Sequence, residues 1–247
     1  MNGLVLAARY LTIVPLPGRT HRAGAALGAA AAWFPVVGLG LGAALVVIDL
    51  VTGSLFPALL SAVLTVAAWK LLTGGLHLDG VADCLDGLVG RDPAHRLAVM
   101  RDSRIGAFGA LGLILFLMIE VIALAELPEV PRGRALLVAP VVARAAPPLL
   151  ALLFRSARPD GEGAAFMSAV PAWAWAPALG GAALIAAGAL GAVGLAGAFV
   201  AMGSVLVLAR FFSGRLGGLT GDVFGAAVEV AELALLLTVL AWTHARL

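Results

Sequence analysis

Three aspartates stand within eight consecutive residues of the motif HLDGVADCLDG, which covers residues 77–87. Asp79, Asp83 and Asp86 are spaced i, i+4 and i+7, so a helix places them within an arc of about 60° on one face. Carboxylates this close repel one another at low dielectric constant unless a cation lies among them. Oxygen ligands without a thiol or histidine cluster favour Mg²⁺, with Mn²⁺ as the alternative. The spacing therefore predicts a divalent metal site rather than a solvated helix face.

A basic segment, RLAVMRDSRIGAFGALGLI, follows this motif. Arg96, Arg101 and Arg104 can offer bidentate guanidinium forks to phosphates. In the same segment, Asp102 is a fourth carboxylate and Ser103 is a hydroxyl donor. The competing interpretation is that these arginines set membrane topology or contact lipid headgroups. Their closeness to three aspartates favours phosphate binding.

The third motif, GGLTGDVFGAAVEVAEL, begins at residue 217. Its acidic residues Asp222, Glu229 and Glu232 share one helix face. An acidic first turn suits the helix dipole and could explain Asp222. It does not explain the two glutamates, which lie two or three turns further into an apolar stretch.

Other candidates carry weaker signals. His77 could act as a base, a substrate donor or a ligand. Arg144 lies inside an apolar segment, where it either snorkels to the surface or reaches into the site. Glu120, also inside such a segment, could be a packed protonated acid or a functional group.

The amino-acid composition indicates the kind of fold that carries these residues. The chain has 247 residues, of which 62% are hydrophobic and 12% charged, whereas a soluble domain carries about 25% charged residues. The sequence therefore predicts an all-α, polytopic integral membrane bundle, with residues 1–247 forming a single domain. A formal net charge of +2 gives no reason to expect nucleic acid as a partner.

About seven transmembrane helices are expected, because each needs roughly 20 mostly apolar residues. The predicted spans are 23–48, 50–69, 105–125, 135–154, two within 164–209 that part near GALGAVGLAG, and 222–243. The first residues predict a short interfacial helix that ends at Pro15 and Pro17.

This topology separates the basic residues strongly. One side receives twelve of them: Arg9, Arg19, Arg22, Lys70, Arg91, Arg96, Arg101, Arg104, Arg155, Arg158, Arg210 and Arg215. The other side receives Arg132, Arg134 and Arg246. The positive-inside rule then puts the amino terminus and all three motifs on the cytoplasmic side of the cell's inner membrane.

Metal-binding carboxylates beside arginines indicate chemistry on a diphosphate. The residues alone leave two transfers open, that of a phospho-alcohol and that of a prenyl group. An ion-coupled transporter is the alternative from a different class, since intramembrane acids also mark ion paths.

The three long motifs, together with YLTIVPLPG and FPVVGLGLGA near the amino terminus, resemble the cobalamin synthase family. The acidic motif alone is also similar to that of CDP-alcohol phosphotransferases. The resemblance covers most of the chain and is weakest over 155–210. Ile13 stands where the family pattern has an arginine, which puts in doubt a phosphate role for that segment.

The resemblance implies adenosylcobinamide-GDP and α-ribazole, or its 5′-phosphate, as substrates and GMP as the leaving group. It implies Mg²⁺ held by Asp79, Asp83 and Asp86, with Asp222 or Asp102 completing the metal site or acting as base. The implied catalytic residues are Asp83 and Asp102, and the implied substrate contacts are His77, Arg101, Ser103, Arg104, Arg144, Thr220 and Glu229. It also implies homo-oligomers or association with other corrinoid-assembly enzymes.

Overall fold

The computed structural model describes residues 3–16 and 23–246, with side chains described from residue 26 onward in the second range. Within these ranges the chain forms thirteen α-helices and one 3₁₀ turn, and no strand beyond an isolated bridge between Ser156 and Leu219. The helices are α1 (Gly3–Leu11), α2 (Ala23–Ala29), α3 (Phe34–Leu55), α4 (Ala58–Leu72), α5 (Leu76–Gly87), α6 (Pro93–Val99), α7 (Ala107–Glu126), α8 (Glu129–Arg144), α9 (Ala146–Leu153), α10 (Glu162–Ala169), α11 (Trp175–Leu190), α12 (Ala192–Leu216) and α13 (Gly221–His244).

The prediction of an all-α, multi-pass membrane bundle is confirmed, but the count of seven spans is not. Five described segments are long and apolar enough to cross a membrane: Ala31–Leu55, Ala107–Glu126, Glu129–Leu153, Ala192–Leu216 and Gly221–His244. The bent pair α4 and α5 could count as a sixth. Helix α11 is apolar but has only 16 residues.

Several predicted boundaries differ from the structure. The first span does not run unbroken from residue 23, because a 3₁₀ turn separates α2 from α3 and Pro35 stands in the first turn of α3. The fifth does not begin at 164, because α10 ends before Pro171 and α11 starts separately at Trp175. The predicted break in GALGAVGLAG is confirmed at Gly191, whose φ is +62°.

The predicted amino-terminal helix is present as α1, but it ends at Leu11, before Pro15. Pro17, Arg19 and Arg22 lie outside the described residues.

Close packing of α3 against α8 forms the centre of the bundle. A methyl group on Gly38 would lie 2.4 Å from the Pro140 carbonyl oxygen, and one on Gly42 equally close to that of Leu137. The two glycines are four residues apart, so they give α3 a smooth stripe along which the backbone of α8 can approach.

The opposite ends of these helices are joined by a buried ion pair between Asp49 on α3 and Arg132 on α8. Arg132 also donates to Ser61 Oγ at 3.1 Å, and Thr65 donates to Asp49 Oδ1 at 3.2 Å. These contacts join α3, α4 and α8 through groups that satisfy one another within the apolar region.

Helix α7 shows which surface meets lipid. Most of its large side chains are exposed: Phe108, Leu111, Ile114, Leu115, Met118, Ile119 and Ile122. Glu120 points the other way and is fully buried. A surface this apolar is stable only against hydrocarbon or another apolar partner, which agrees with a membrane location.

A sharp bend between α4 and α5 positions the acidic motif. The two helix axes meet at 91°. Gly74 and Gly75 have φ values of +63° and +69°, in the left-handed region that glycine adopts at little cost. Helix α5 therefore turns away from the direction of α4 and packs between α13 and α7.

Candidate active site

Two glycines bring the acidic motif against the start of α13. A methyl group on Gly80 would lie 2.4 Å from the Asp222 carbonyl oxygen, and one on Gly225 would lie 3.2 Å from the Cα of His77. Residues with side chains at both positions would force α5 and α13 apart. The close approach places Asp79 and Asp222, from motifs about 140 residues apart in the sequence, on the wall of one cavity.

The start of α13 is fixed by its N-cap residue, Thr220. Its hydroxyl oxygen accepts from the Val223 N–H at 3.4 Å and the hydroxyl donates to Asp222 Oδ2 at 3.1 Å. N-capping by a threonine is a common way to satisfy the free N–H groups of a first helical turn. The Asp222 carboxylate is thereby held at the N-terminal end of α13, where the helix dipole favours negative charge.

Two backbone hydrogen bonds between the loop at 155–158 and the loop before α13 bring Arg158 close to Asp222. Ala157 donates its N–H to the Leu219 carbonyl at 2.8 Å, and Leu219 donates to the Arg155 carbonyl at 2.8 Å. The segment that carries Arg158 is thus tied to the segment that begins α13. The sequence indicates only a topological role for Arg158, because its position in the loop RSARPDGEG carries no further signal.

Arg158 is only partly paired. Its Nη2 donates to the Leu97 carbonyl at 3.0 Å, its Nη1 lies 3.7 Å from Asp222 Oδ2, and its buried Nε has no hydrogen-bond partner among the described residues. Burial lowers the pKa of the guanidinium from its usual value; Arg101 adds to this, whereas Asp222 and Asp83 oppose it. Arginine stays charged through such a shift, so Arg158 has donor capacity left for an anion.

These groups surround a cavity of about 290 Å³ at one end of the bundle. Its polar lining consists of Tyr10, His77, Asp79, Ser156, Arg158, Glu162, Thr220 and Asp222. The buried Nδ1 of His77 has no hydrogen-bond partner among the described residues. Unsatisfied buried polar atoms are rare in proteins, so the cavity wall is suited to a polar ligand.

Four of the predicted site residues, His77, Asp79, Thr220 and Asp222, therefore come together in the cavity. Asp83 is half-buried one turn behind Asp79 and lies within the electrostatic field of Asp222. We call Asp79, Asp83, Asp222 and Arg158 the cavity cluster.

The Asp86 side chain contacts the start of α7 and not the cavity, although its spacing predicts that it shares a helix face with Asp79 and Asp83. One of its oxygens accepts from the Gly106 N–H at 2.7 Å and the other from the Gly109 N–H at 2.8 Å. Both N–H groups belong to the start of α7, where a carboxylate is stabilised by free amides and by the helix dipole. In this arrangement Asp86 fastens α5 to α7.

The predicted phosphate-binding segment lies on an exposed loop outside the cavity lining. Arg101, Asp102, Ser103 and Arg104 are all exposed. Arg104 Nη2 donates to Asp102 Oδ2 at 2.6 Å, and these hydrogen bonds hold the pKa of Asp102 at about 2. A carboxylate with so low a pKa is a weak proton acceptor.

Arg144 and Glu229 lie deeper in the bundle, in a separate group that we call the buried cluster: Lys70, Glu120, Arg144, Glu229 and Glu232. Lys70 Nζ lies 2.9 Å from Glu120, 2.6 Å from Glu229 and 3.4 Å from Glu232. Arg144 pairs with Glu232 and does not snorkel, since it is 1% exposed. Within the described part of the chain, the three glutamates are the trio whose carboxylates all lie within 4.8 Å of one another, and a lysine already stands among them.

The fold and the cavity together define a polytopic helical membrane protein with a carboxylate- and arginine-lined cavity at one end of its bundle. The family model described as cobalamin-5-phosphate synthase matches residues 3–240. Because this match covers nearly the whole chain, the chain belongs to the cobalamin-5-phosphate synthase family.

Curated relatives agree with this membership. The chain is 38% identical to the adenosylcobinamide-GDP ribazoletransferase of Roseiflexus sp. (strain RS-1), over 94% of this chain and 87% of the relative. It is 35% identical to that of Geotalea daltonii, over 96% of each, and 38% identical to that of Escherichia coli (strain K12), over 84% and 85%. No solved structure gives a significant match.

Proposed function

We propose that this protein joins adenosylcobinamide-GDP to α-ribazole, or to its 5′-phosphate, and releases GMP. The ribose 3′-hydroxyl oxygen would form a bond to the phosphorus nearer the corrinoid. The bond from that phosphorus to the bridging oxygen would break, so that GMP leaves with that oxygen. The names of the curated relatives support this reaction.

The observation that carries the proposal is the convergence of Asp79, Asp222, Arg158, Thr220 and His77 on one cavity. A diphosphate needs positive charge along its oxygens and a group that accepts the proton of the attacking hydroxyl. Arg158, whose buried Nε has no hydrogen-bond partner among the described residues, meets the first need. The carboxylates of Asp79 and Asp222 can accept the proton of the attacking hydroxyl.

The donor set also fits Mg²⁺. Among the described residues neither Asp79 nor Asp83 has an ion-pair partner within 4.0 Å, and carboxylate oxygens are the ligands that Mg²⁺ prefers. We assign Asp79 and Asp83 to the ion and leave out Asp86, because α7 amides occupy both of its oxygens. When bound, Mg²⁺ would supply charge neutralisation and electrophilic activation of the diphosphate.

Asp222 is the proton acceptor in this proposal. It already accepts a hydroxyl hydrogen bond from Thr220 at the cavity wall, so a substrate hydroxyl beside it would meet the same acceptor. Asp102 stood as the alternative base, but it lies outside the cavity and is paired to Arg104. The imidazole of His77, whose Nδ1 has no partner in the described part of the chain, would orient the ribose.

We further propose that the cavity opens toward the cytoplasm from the inner membrane. Arg91, Arg96, Arg101 and Arg104 follow α5 in the chain, and Arg155 and Arg158 lie on the loop tied to α13. A cluster of basic residues at one end of a bundle favours that end as the cytoplasmic one. Self-association and association with other corrinoid-assembly enzymes stay predictions.

The test uses detergent-purified protein with adenosylcobinamide-GDP, α-ribazole and Mg²⁺, and measures GMP and the joined corrinoid together. We expect equal amounts of both products from the wild type and none without Mg²⁺. An absence of both products under these conditions would refute the proposal. Release of inorganic diphosphate from an isoprenoid diphosphate would instead support a prenyl transferase, and flux into vesicles without chemistry a transporter.

Asp83→Asn should lower GMP release by about 10³-fold or more, since it removes a negative ligand from the ion. The matched control is Asp160→Asn, which neutralises an exposed aspartate on the nearby loop and should leave turnover within about twofold, as surface substitutions do. Turnover of Asp83→Asn at the wild-type rate would remove Asp83 from the site.

A further inference from the structure

The cavity also has apolar lining residues that the reaction at the diphosphate does not use. Besides the polar groups, the lining includes Leu11, Leu27, Phe34, Phe166, Phe224 and Val228. The three phenylalanines come from three separate elements, α3, α10 and α13. We call Phe34, Phe166 and Phe224 the aromatic wall.

The rings of the aromatic wall are packed against one another. The Phe34 and Phe166 centroids lie 6.0 Å apart at an interplanar angle of 12°, and those of Phe166 and Phe224 lie 5.6 Å apart at 78°. All three residues are buried, with exposed fractions of 2%, 7% and 8% for Phe34, Phe166 and Phe224. Parallel and edge-to-face pairs of this kind are favourable aromatic arrangements, so the wall is a preformed surface.

The packing of α10 against α2 holds Phe166 of the aromatic wall in place. A methyl group on Gly28 of α2 would lie 2.5 Å from the Phe166 carbonyl oxygen, so α10 rests directly on α2. Phe224 lies two residues after Asp222 in the first turns of α13. Phe224 and the Asp222 carboxylate therefore belong to the same helix start, and a ligand bound against the Phe224 ring lies near Asp222.

The size of the cavity limits what can enter. At about 290 Å³ it lies just below the range of roughly 300–1,000 Å³ that encloses drug-sized ligands. A nucleoside is of that size, whereas a corrin macrocycle with its adenosyl group and nucleotide is several times larger. The enclosed space therefore suits the smaller of the two substrates.

We propose that the aromatic wall receives the flat aromatic base of the nucleoside substrate, while the corrinoid stays outside and only its diphosphate reaches Arg158. The inference rests on the proposed function for the identity of the nucleoside. Base stacking on aromatic side chains supplies binding energy without hydrogen bonds to base edges. The hydroxyls of the sugar would then face Thr220, Ser156 and the carboxylate of Asp222.

The test compares Phe166→Leu with Phe212→Leu. Phe212 on α12 is buried to a similar degree but does not line the cavity. The KM for α-ribazole should rise about 10-fold in Phe166→Leu, as expected for the loss of one stacking partner, with the KM for adenosylcobinamide-GDP unchanged. Phe212→Leu should change neither. Equal rises in both KM values, or no rise at all, would overturn the inference.

Equilibrium dialysis of α-ribazole against the purified protein separates this inference from the proposed function. If the wild type binds α-ribazole and Phe166→Leu binds it about 10-fold more weakly, the aromatic wall is supported as the base site. This holds even if no GMP is formed and the proposed reaction fails. Undiminished binding in the variant, or no binding by a wild type that turns over, refutes the wall as the base site. Phe224→Leu serves as the second variant if Phe166→Leu does not fold, and the same two outcomes decide.

Discussion

The cavity cluster and the buried cluster both combine carboxylates with basic side chains and meet on helix α13, yet their surroundings differ. In the buried cluster Lys70 lies within 3.4 Å of three glutamates and Arg144 pairs with Glu232. In the cavity cluster Asp79 and Asp83 have no such partner within the described residues, and Arg158 stands 3.7 Å from Asp222. Charges that pair with one another hold helices together, whereas charges at a cavity without such a partner are available to a ligand.

The contrast is clearest along α13. Asp222 and Glu229 are seven residues apart and share a helix face, but Asp222 lines the cavity and Glu229 is 1% exposed. One helix thus carries a group for chemistry at its start and a group for structure two turns further on. Substitutions in the cavity cluster should therefore change turnover, and substitutions in the buried cluster should change stability.

The largest effect is expected in the buried cluster. Lys70→Met would leave three buried carboxylates without their shared cation, and breaking a buried ion pair costs about 3–5 kcal/mol. The midpoint of unfolding in a detergent titration should fall accordingly. Arg134→Met, at an exposed site, should leave that midpoint in place. An unchanged midpoint for Lys70→Met would mean that the buried cluster does not hold the helices together.

A smaller effect, on turnover, is expected from Arg158→Lys in the cavity cluster. A lysine keeps the charge but cannot contact the Leu97 carbonyl and a phosphate through one planar fork. The kcat/KM for adenosylcobinamide-GDP should fall about 10- to 100-fold with stability unchanged. Arg91→Lys, on the exposed basic loop, is the control. If both variants retain full kcat/KM, Arg158 does not bind the diphosphate.

The smallest effect is expected at Asp102, which lies outside both clusters. Its folded pKa of about 2 is below the unfolded value of about 3.9, so its contribution to stability is present above that value and is lost as the pH falls toward 2. It does not titrate above pH 5. The pH–rate profiles of Asp102→Asn and the wild type should therefore coincide from pH 5.5 to 9, within about threefold. A loss comparable to that of Asp83→Asn would restore Asp102 as the base.

Much of this arrangement could be predicted from the sequence, because it depends on local pattern. Apolar run lengths predicted the helical bundle, and the spacing of Asp79 and Asp83 predicted neighbouring carboxylates. The positions of Asp86 and Glu229 could not be predicted, since periodicity specifies a helix face and not the partner opposite it. Asp86 met the amides of α7, and Glu229 met Lys70. Arg158 and the aromatic wall depend on loops and on contacts between distant segments, which leave no periodic signal.

Turnover and unfolding measured in parallel for Asp222→Asn and Glu229→Gln, two neutralising changes on one helix, separate catalysis from stability most directly. We expect Asp222→Asn to lose GMP release by about 10³-fold at wild-type stability, as expected for a catalytic base. We expect Glu229→Gln to unfold more easily but to keep its rate per folded molecule within about threefold, as expected for a structural ion pair. The opposite pattern, an active Asp222→Asn and a stable but inactive Glu229→Gln, would contradict the different roles of the cavity cluster and the buried cluster.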